Sequence, residues 1–256
     1  MKKLITAATL VMGAAMVSQR VQAQFVPNDL YLGFENAAGG GTADYIINLG
    51  AASGLIGAGA TTDLSGDFSL SLFNSSLLQG SNPSGIMGGV VGGSNGGSPS
   101  DVFLTQSRAG GPGLASVAGS TAPGNLTRSQ DNVAYASLTP LVVPSVGTGL
   151  LDSSRSWESD VEPTFTAGSF FGNTGANPDS PVSTSTVLYE DLWENSNNTL
   201  IGNQPFSYEG YFTLNLTGIS PSLTFTPAPE PSTYMLSGVG GILLLLLRSR
   251  SWRKTA

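Results

Sequence analysis

Apolar and polar residues alternate along several short stretches of this chain. In "DFSLSLF", Phe68, Leu70 and Leu72 fall on one side and Ser69 and Ser71 on the other. "YFTLNLTGI" sets Phe212, Leu214 and Leu216 against Thr213, Asn215 and Thr217, and "SLTFT" sets Leu223 and Phe225 against Ser222, Thr224 and Thr226. A period of two marks a strand with one buried face. "DYIINL" (44–49), "DVFLTQ" (101–106), "VAYASL" (133–138) and "STVLYEDLWE" (185–194) are further strand candidates. "PLVVPSV" reads as an edge strand, because Pro140 and Pro144 lack the N–H that a central strand needs. Helix signals are scarce, although Leu72 to Leu78 also fits a short helix. Many short strands with turn residues between them predict an all-β body, an antiparallel β-sandwich of jelly-roll type.

Glycine and proline shape the rest. The chain has 34 glycines and 15 prolines in 256 residues. Residues 80–124, beginning "GSNPSGIMGGVVGGSNGGSPS", carry few large side chains and read as long glycine-rich loops or an insertion on the β scaffold. "TPAPEP" (226–231) reads as an extended linker.

The two ends differ from the body. "MKKLITAATLVMGAAMVSQRVQAQ" has Lys2 and Lys3, then a mostly apolar stretch from Leu4 to Val17, then small residues at Val21 and Ala23. This is the order of a secretory leader, with cleavage expected between Ala23 and Gln24. An N-terminal anchor that is never cut is the alternative. Near the other end, Tyr234 to Leu247 carries no charge. Fourteen residues make a helix of roughly 21 Å against a hydrocarbon core of about 30 Å. Its leucines, Ile242 and Val239 contribute roughly −3 to −4 kcal/mol toward insertion, which Tyr234, Ser237 and three glycines erode. The segment reads as a marginal transmembrane helix; a short buried helix of a soluble fold is the alternative. Arg248, Arg250, Arg253 and Lys254 follow it and favour the cytoplasmic side. The reading is thus 1–23 leader, 24–226 exported body, 227–233 linker, 234–247 membrane segment and 248–256 basic tail.

Charge and composition narrow the chemistry. Between Gln24 and Pro227 only Arg108, Arg128 and Arg155 are basic, against sixteen acids, a formal charge of −13. Nucleic acid is repelled by such a surface. Cysteine and histidine are absent, and the body has no lysine. A Ser-His-Asp triad, a cysteine nucleophile, a His/Cys zinc site and a Schiff-base lysine are therefore excluded. Gly92-Gly93-Ser94-Asn95-Gly96 has the G-x-S-x-G spacing but lacks the histidine that a nucleophile elbow needs. Carboxylates remain. Glu158, Asp160 and Glu162 follow Trp157, and Glu190, Asp191 and Glu194 surround Trp193. Paired acids beside tryptophan suit a glycosidase or a sugar-binding groove, with Trp157 and Trp193 as sugar contacts. Core tryptophans and a solvated acidic surface are the plainer reading. Calcium could be shared by Asp63 and Asp67, or by Asp160 and Glu162, though no EF-hand loop is present and no cofactor is expected.

The run Pro229-Glu230-Pro231-Ser232-Thr233, an apolar segment and an arginine-rich end resembles the PEP-CTERM sorting signal of exported bacterial proteins. "NDLYLGF", "DYIINLG" and "YEGYFTLNLTGISPSLTFTPAPEPST" resemble the bracket found in many members of unassigned function. The resemblance implies export past a signal peptidase and a pause in the inner membrane. It then implies cutting near Pro229 to Pro231 by exosortase, a membrane transpeptidase, and delivery to the cell surface or an exopolysaccharide matrix. It implies no enzymatic activity. A structural or adhesive role is the expectation; a carbohydrate-binding module for extracellular polysaccharide is the alternative, and a glycoside hydrolase the third reading.

Overall fold

A computed structural model describes residues 25–36, 43–77, 85–94, 101–108, 123, 126–161, 174, 179–196, 205–217 and 220–229. Its strands are β1 (Asp29–Asn36), β2 (Asp44–Ala51), β3 (Thr62–Asp63), β4 (Ile86–Ser94), β5 (Asp101–Ser107), β6 (Thr148–Asp152), β7 (Ser180–Pro181), β8 (Leu188–Ser196), β9 (Ser207–Asn215) and β10 (Ser222–Pro227). Helices α1 (Ala52–Ile56), α2 (Leu70–Leu77) and α3 (Arg128–Leu138) accompany them. All strands join one sheet in the order β3-β10-β9-β8-β5-β4-β1-β2-β6, with β7 beside β4, and every strand pairing is antiparallel.

The all-β expectation holds, but the sandwich gives way to one curled sheet resembling half a barrel. Two cores lie on its two faces. On the inner face, Leu30, Leu32 and Phe34 of β1 meet Tyr45 and Ile47 of β2, Phe212 of β9 and Phe225 of β10, under Leu55, Phe68 and Phe73. Helix α1 touches both β2 and β10, so this is the side toward which the sheet closes. On the outer face, Tyr31, Ile46, Val91 and Leu104 are covered by Ala134 and Leu138 of α3 and by Trp157. Both faces of β1 are therefore buried, and every residue of "DLYLGFEN" is shielded from solvent, Asp29 and Glu35 included.

Strands lie over the stretches expected at 44–49, 101–106 and 222–226; β8 starts three residues later than the expected 185–194, and β9 ends at Asn215 and begins at Ser207, four residues ahead of "YFTLNLTGI". Four expectations fail. "DFSLSLF" is not a strand: a 3₁₀ turn (Ser65–Asp67) leads into α2, in accord with the helix alternative there. The Ser69 hydroxyl accepts from the Leu72 N–H at 3.4 Å, and the Ser69 N–H donates to Tyr45 Oη at 2.7 Å. "VAYASL" belongs to α3. Thr127 and Gln130 form a reciprocal capping box, and buried Asp131, Ala134 and Leu138 share the helical period. "PLVVPSV" forms no strand, only isolated bridges at Val143 and at Val146, the latter to Asn48. The supposed glycine-rich loops contain β4, a strand in the middle of the sheet. Its glycines admit neighbouring rings: a Cβ on Gly88 would lie 2.5 Å from Phe34. A stretch without side chains thus packs well by receiving the side chains of others.

Candidate functional site

Trp157 begins a π-helical turn (Trp157–Val161) laid across the outer face of β1. Gly33 leaves the room it occupies, since a Cβ there would lie 2.0 Å from the indole. The indole is fully buried, and its Nε1–H donates to the Asp179 carboxylate at 3.2–3.3 Å. Trp193, on β8, is 5% exposed and meets Tyr208 edge-on at 5.6 Å. Neither ring offers a face to a sugar, so the sugar-contact expectation is corrected: both are core tryptophans.

Around Trp157 the fold gathers carboxylates. Asp44 pairs with Asp152 across β2 and β6, and Glu35 follows Phe34, which pairs with Tyr45 beside Asp44. Glu35, Asp44 and Asp152 are all buried. Burial pushes the Asp44 carboxyl up to about 7; Arg155 opposes the rise and the Asp152 charge adds to it. Burial would also raise Asp152, but hydrogen bonds from Ser154 and Ser156 outweigh it and hold that carboxyl low. Asp152 accepts from the Ser154 N–H at 2.9 Å and the Ser156 N–H at 2.6 Å. Arg155 between them takes a left-handed φ of 57°. A group titrating near neutrality suits proton transfer. At 1% exposure, however, Asp44 meets no solvent-borne substrate. These residues seat the turn that carries Trp157.

A second group surrounds the end of β5. Arg108 lies 3.5 Å from Asp191, both buried, with its guanidinium 4.3 Å from the Tyr211 ring centre. Burial, with the Asp191 charge, pushes Tyr208 up to about 12 against the pull of Arg108. Glu190, next along β8, points to the opposite face. Burial raises its carboxyl to about 8, and hydrogen bonds with Ser180 and Thr105 oppose the rise. Alternation thus parts Glu190 from Asp191, which the sequence groups together.

Other nominated residues scatter. Ser94 of the G-x-S-x-G stretch donates from Oγ to Asp101 Oδ2 at 2.8 Å, within the β4–β5 pair. Exposed Asp63 accepts from the Ser65 N–H at 2.9 Å. Burial, with the Asp63 charge, raises Asp67. No group of three or more metal-ligating side chains is assembled among the described residues. Asp160 lies in the Trp157 turn, whereas Glu162 falls outside the described residues, as do the side chain of Glu158, the leader, Ala23 and Gln24. Glu230, Pro231, Ser232, Thr233, the apolar segment 234–247 and the cations Arg248, Arg250, Arg253 and Lys254 also lie outside them. Among the described residues no helix is long and apolar enough to cross a membrane.

The described fold has firm contacts at both limits. Phe25 packs against Tyr31 and Tyr135 at 5.1 and 5.8 Å, and the Val26 N–H donates to Tyr31 Oη at 2.8 Å. The Ala228 N–H donates to the Glu209 carbonyl at 2.9 Å, one residue before Pro229. No protein-family model, curated protein or solved structure matches the chain.

Proposed function

We propose that this chain is an exported bacterial surface or matrix protein with a structural or adhesive, non-enzymatic body. A PEP-CTERM-type tail sorts it and is then removed by an exosortase-like transpeptidase. The observation that carries the reading is the order of features at the two ends: Lys2, Lys3 and an apolar stretch before Ala23, and Pro229-Glu230-Pro231 before the uncharged run 234–247 and Arg248, Arg250, Arg253 and Lys254. The described body is folded close to both expected cuts, with Phe25 packed on Tyr31 and the Ala228 N–H bonded to the Glu209 carbonyl.

Intact mass of the protein recovered from cells that encode a sorting transpeptidase tests this. The expected species lacks residues 1–23 and everything from about Pro229 to Pro231 onward. Recovery of an unprocessed C-terminus in such cells would overturn the sorting reading.

A further inference from the structure

Strand β4 divides its outer neighbours. One edge pairs with β1 throughout, from Ile86 to Gly92. The other edge pairs with β5 only from Val91 to Ser94, then with β7 at Met87 and Gly88. Strand β5 meanwhile runs on beside β8, through Thr105, Gln106 and Ser107. The sheet therefore forks, with β7 filling the gap beside β4. At such a fork the backbone ladder is interrupted, and buried backbone groups need other partners.

Side chains supply them. The Val90 N–H donates to Thr105 Oγ1 at 2.7 Å, and Thr105 Oγ1 reaches the Val90 carbonyl at 3.4 Å. Glu190 on β8 hydrogen-bonds both Thr105 and Ser180, the first residue of β7. The Val182 N–H, just beyond β7, donates to the Ile86 carbonyl at 2.9 Å. Thr105, Ser180 and Glu190 are all buried, and Glu190 Oε1 has no hydrogen-bond partner among the described residues.

We propose that Thr105, Glu190 and Ser180 form a proton-dependent lock that holds β7 onto β4, and that ionisation of Glu190 releases it. Among the described residues no cation faces a carboxylate in this position. Strand β4 carries no charged residue, and β7 none within its two residues, with Asp179 before it bonded to Trp157. On β5 the acid is Asp101, at the far end of the strand and held by Ser94. Arg108 and Asp191 pair on the other face of β8. Glu194 shares the Glu190 face four residues along the strand, and its charge has the wrong sign. On β9, Phe212 stands opposite Glu190, flanked by Tyr211, and Tyr208 and Glu209 lie farther along. Ionising the closed form therefore strands a charge in the core, whereas opening the fork lets water reach it. Burial raises the closed-state carboxyl to about 8, so the lock weakens with rising pH up to that point and levels off above it.

Amide hydrogen exchange of the protein recovered from cells tests this, read as protection factors so that the intrinsic pH dependence of exchange is removed. Between pH 5 and 8 the Val182 and Val90 amides are expected to lose up to about tenfold in protection per pH unit, while remaining less protected than Leu32 in β1. In Glu190→Gln, which keeps the hydrogen bonds but cannot ionise, the Val182 profile is expected to be flat. Protection at Val182 that is independent of pH in the wild type overturns the lock. So does an unchanged slope in Glu190→Gln, or exchange of Val182 only together with Leu32.

Discussion

Gly33→Ala probes the outer core most directly. The added Cβ would sit 2.0 Å from Cδ2 and Cε3 of Trp157, when even 3.0 Å is closer than real Cβ atoms approach. The indole or the strand must move by about 1 Å or more, and neither is free to do so. Trp157 is fully buried and tied through Nε1 to Asp179, and β1 is paired on both edges. Overpacking of this kind costs about 1–3 kcal/mol, and loss of the Asp179 hydrogen bond adds about 1 kcal/mol. Relief of glycine's backbone entropy returns only about 0.5–1 kcal/mol. The expected net loss is on the order of 2–3 kcal/mol. With a urea m-value near 2 kcal/mol/M, the midpoint should fall by roughly 1–1.5 M. The assay is urea unfolding of the protein recovered from cells, followed by the fluorescence of Trp157 and Trp193. Combining Gly33→Ala with Trp157→Leu should shrink the alanine's effect to under about 1 kcal/mol, because its obstacle is gone. An unchanged midpoint in Gly33→Ala, or an equal loss in the Trp157→Leu background, would refute the packing argument.

Two further outcomes follow from the buried charges. Asp44 holds its proton to about pH 7 in the folded state but releases it near 3.8 when unfolded, so the stability this carboxyl contributes should be lost as pH rises from about 4 to 7, with no further loss from Asp44 above that. Asp44→Asn should flatten that part of the profile by a few kcal/mol, which thermal melts across pH 4–8 would read. Arg108→Ala leaves Asp191 buried without its cation and should destabilise by about 3–5 kcal/mol, whereas Arg108→Ala with Asp191→Ala should cost clearly less than the two single changes added together.

The candidate residues were legible only in part. Trp157 and Trp193 drew attention through the acids beside them, yet their burial follows from partners far away in sequence, Gly33 and Tyr208. Glu190 and Asp191 are neighbours in the chain but opposite in the sheet, as strand geometry demands. Asp44 and Asp152 face each other across 108 positions, and no local pattern announces that pair. Arg108 stood out only as one of three body cations. One usable signal was passed over: Thr127 followed by Gln130 has the spacing of a capping box and marks the start of α3.

By itself the sequence determined the class of the body and the limits of its chemistry. Alternation at 212–217 and 222–226 specifies strands because one face of each must be buried, and the absence of histidine, cysteine and body lysine removes whole reaction types whatever the fold. Tertiary structure decided the rest. Over six residues a period of two and a period of 3.6 place similar apolar positions, so Leu70 to Phe73 and Val133 to Leu138 became helical where they cover the sheet beneath them. The glycine-rich stretch became a central strand because Phe34 and Leu30 require space that only a missing Cβ provides. Local order proposes a set of conformations; contacts between distant segments select among them, since those contacts bury the area.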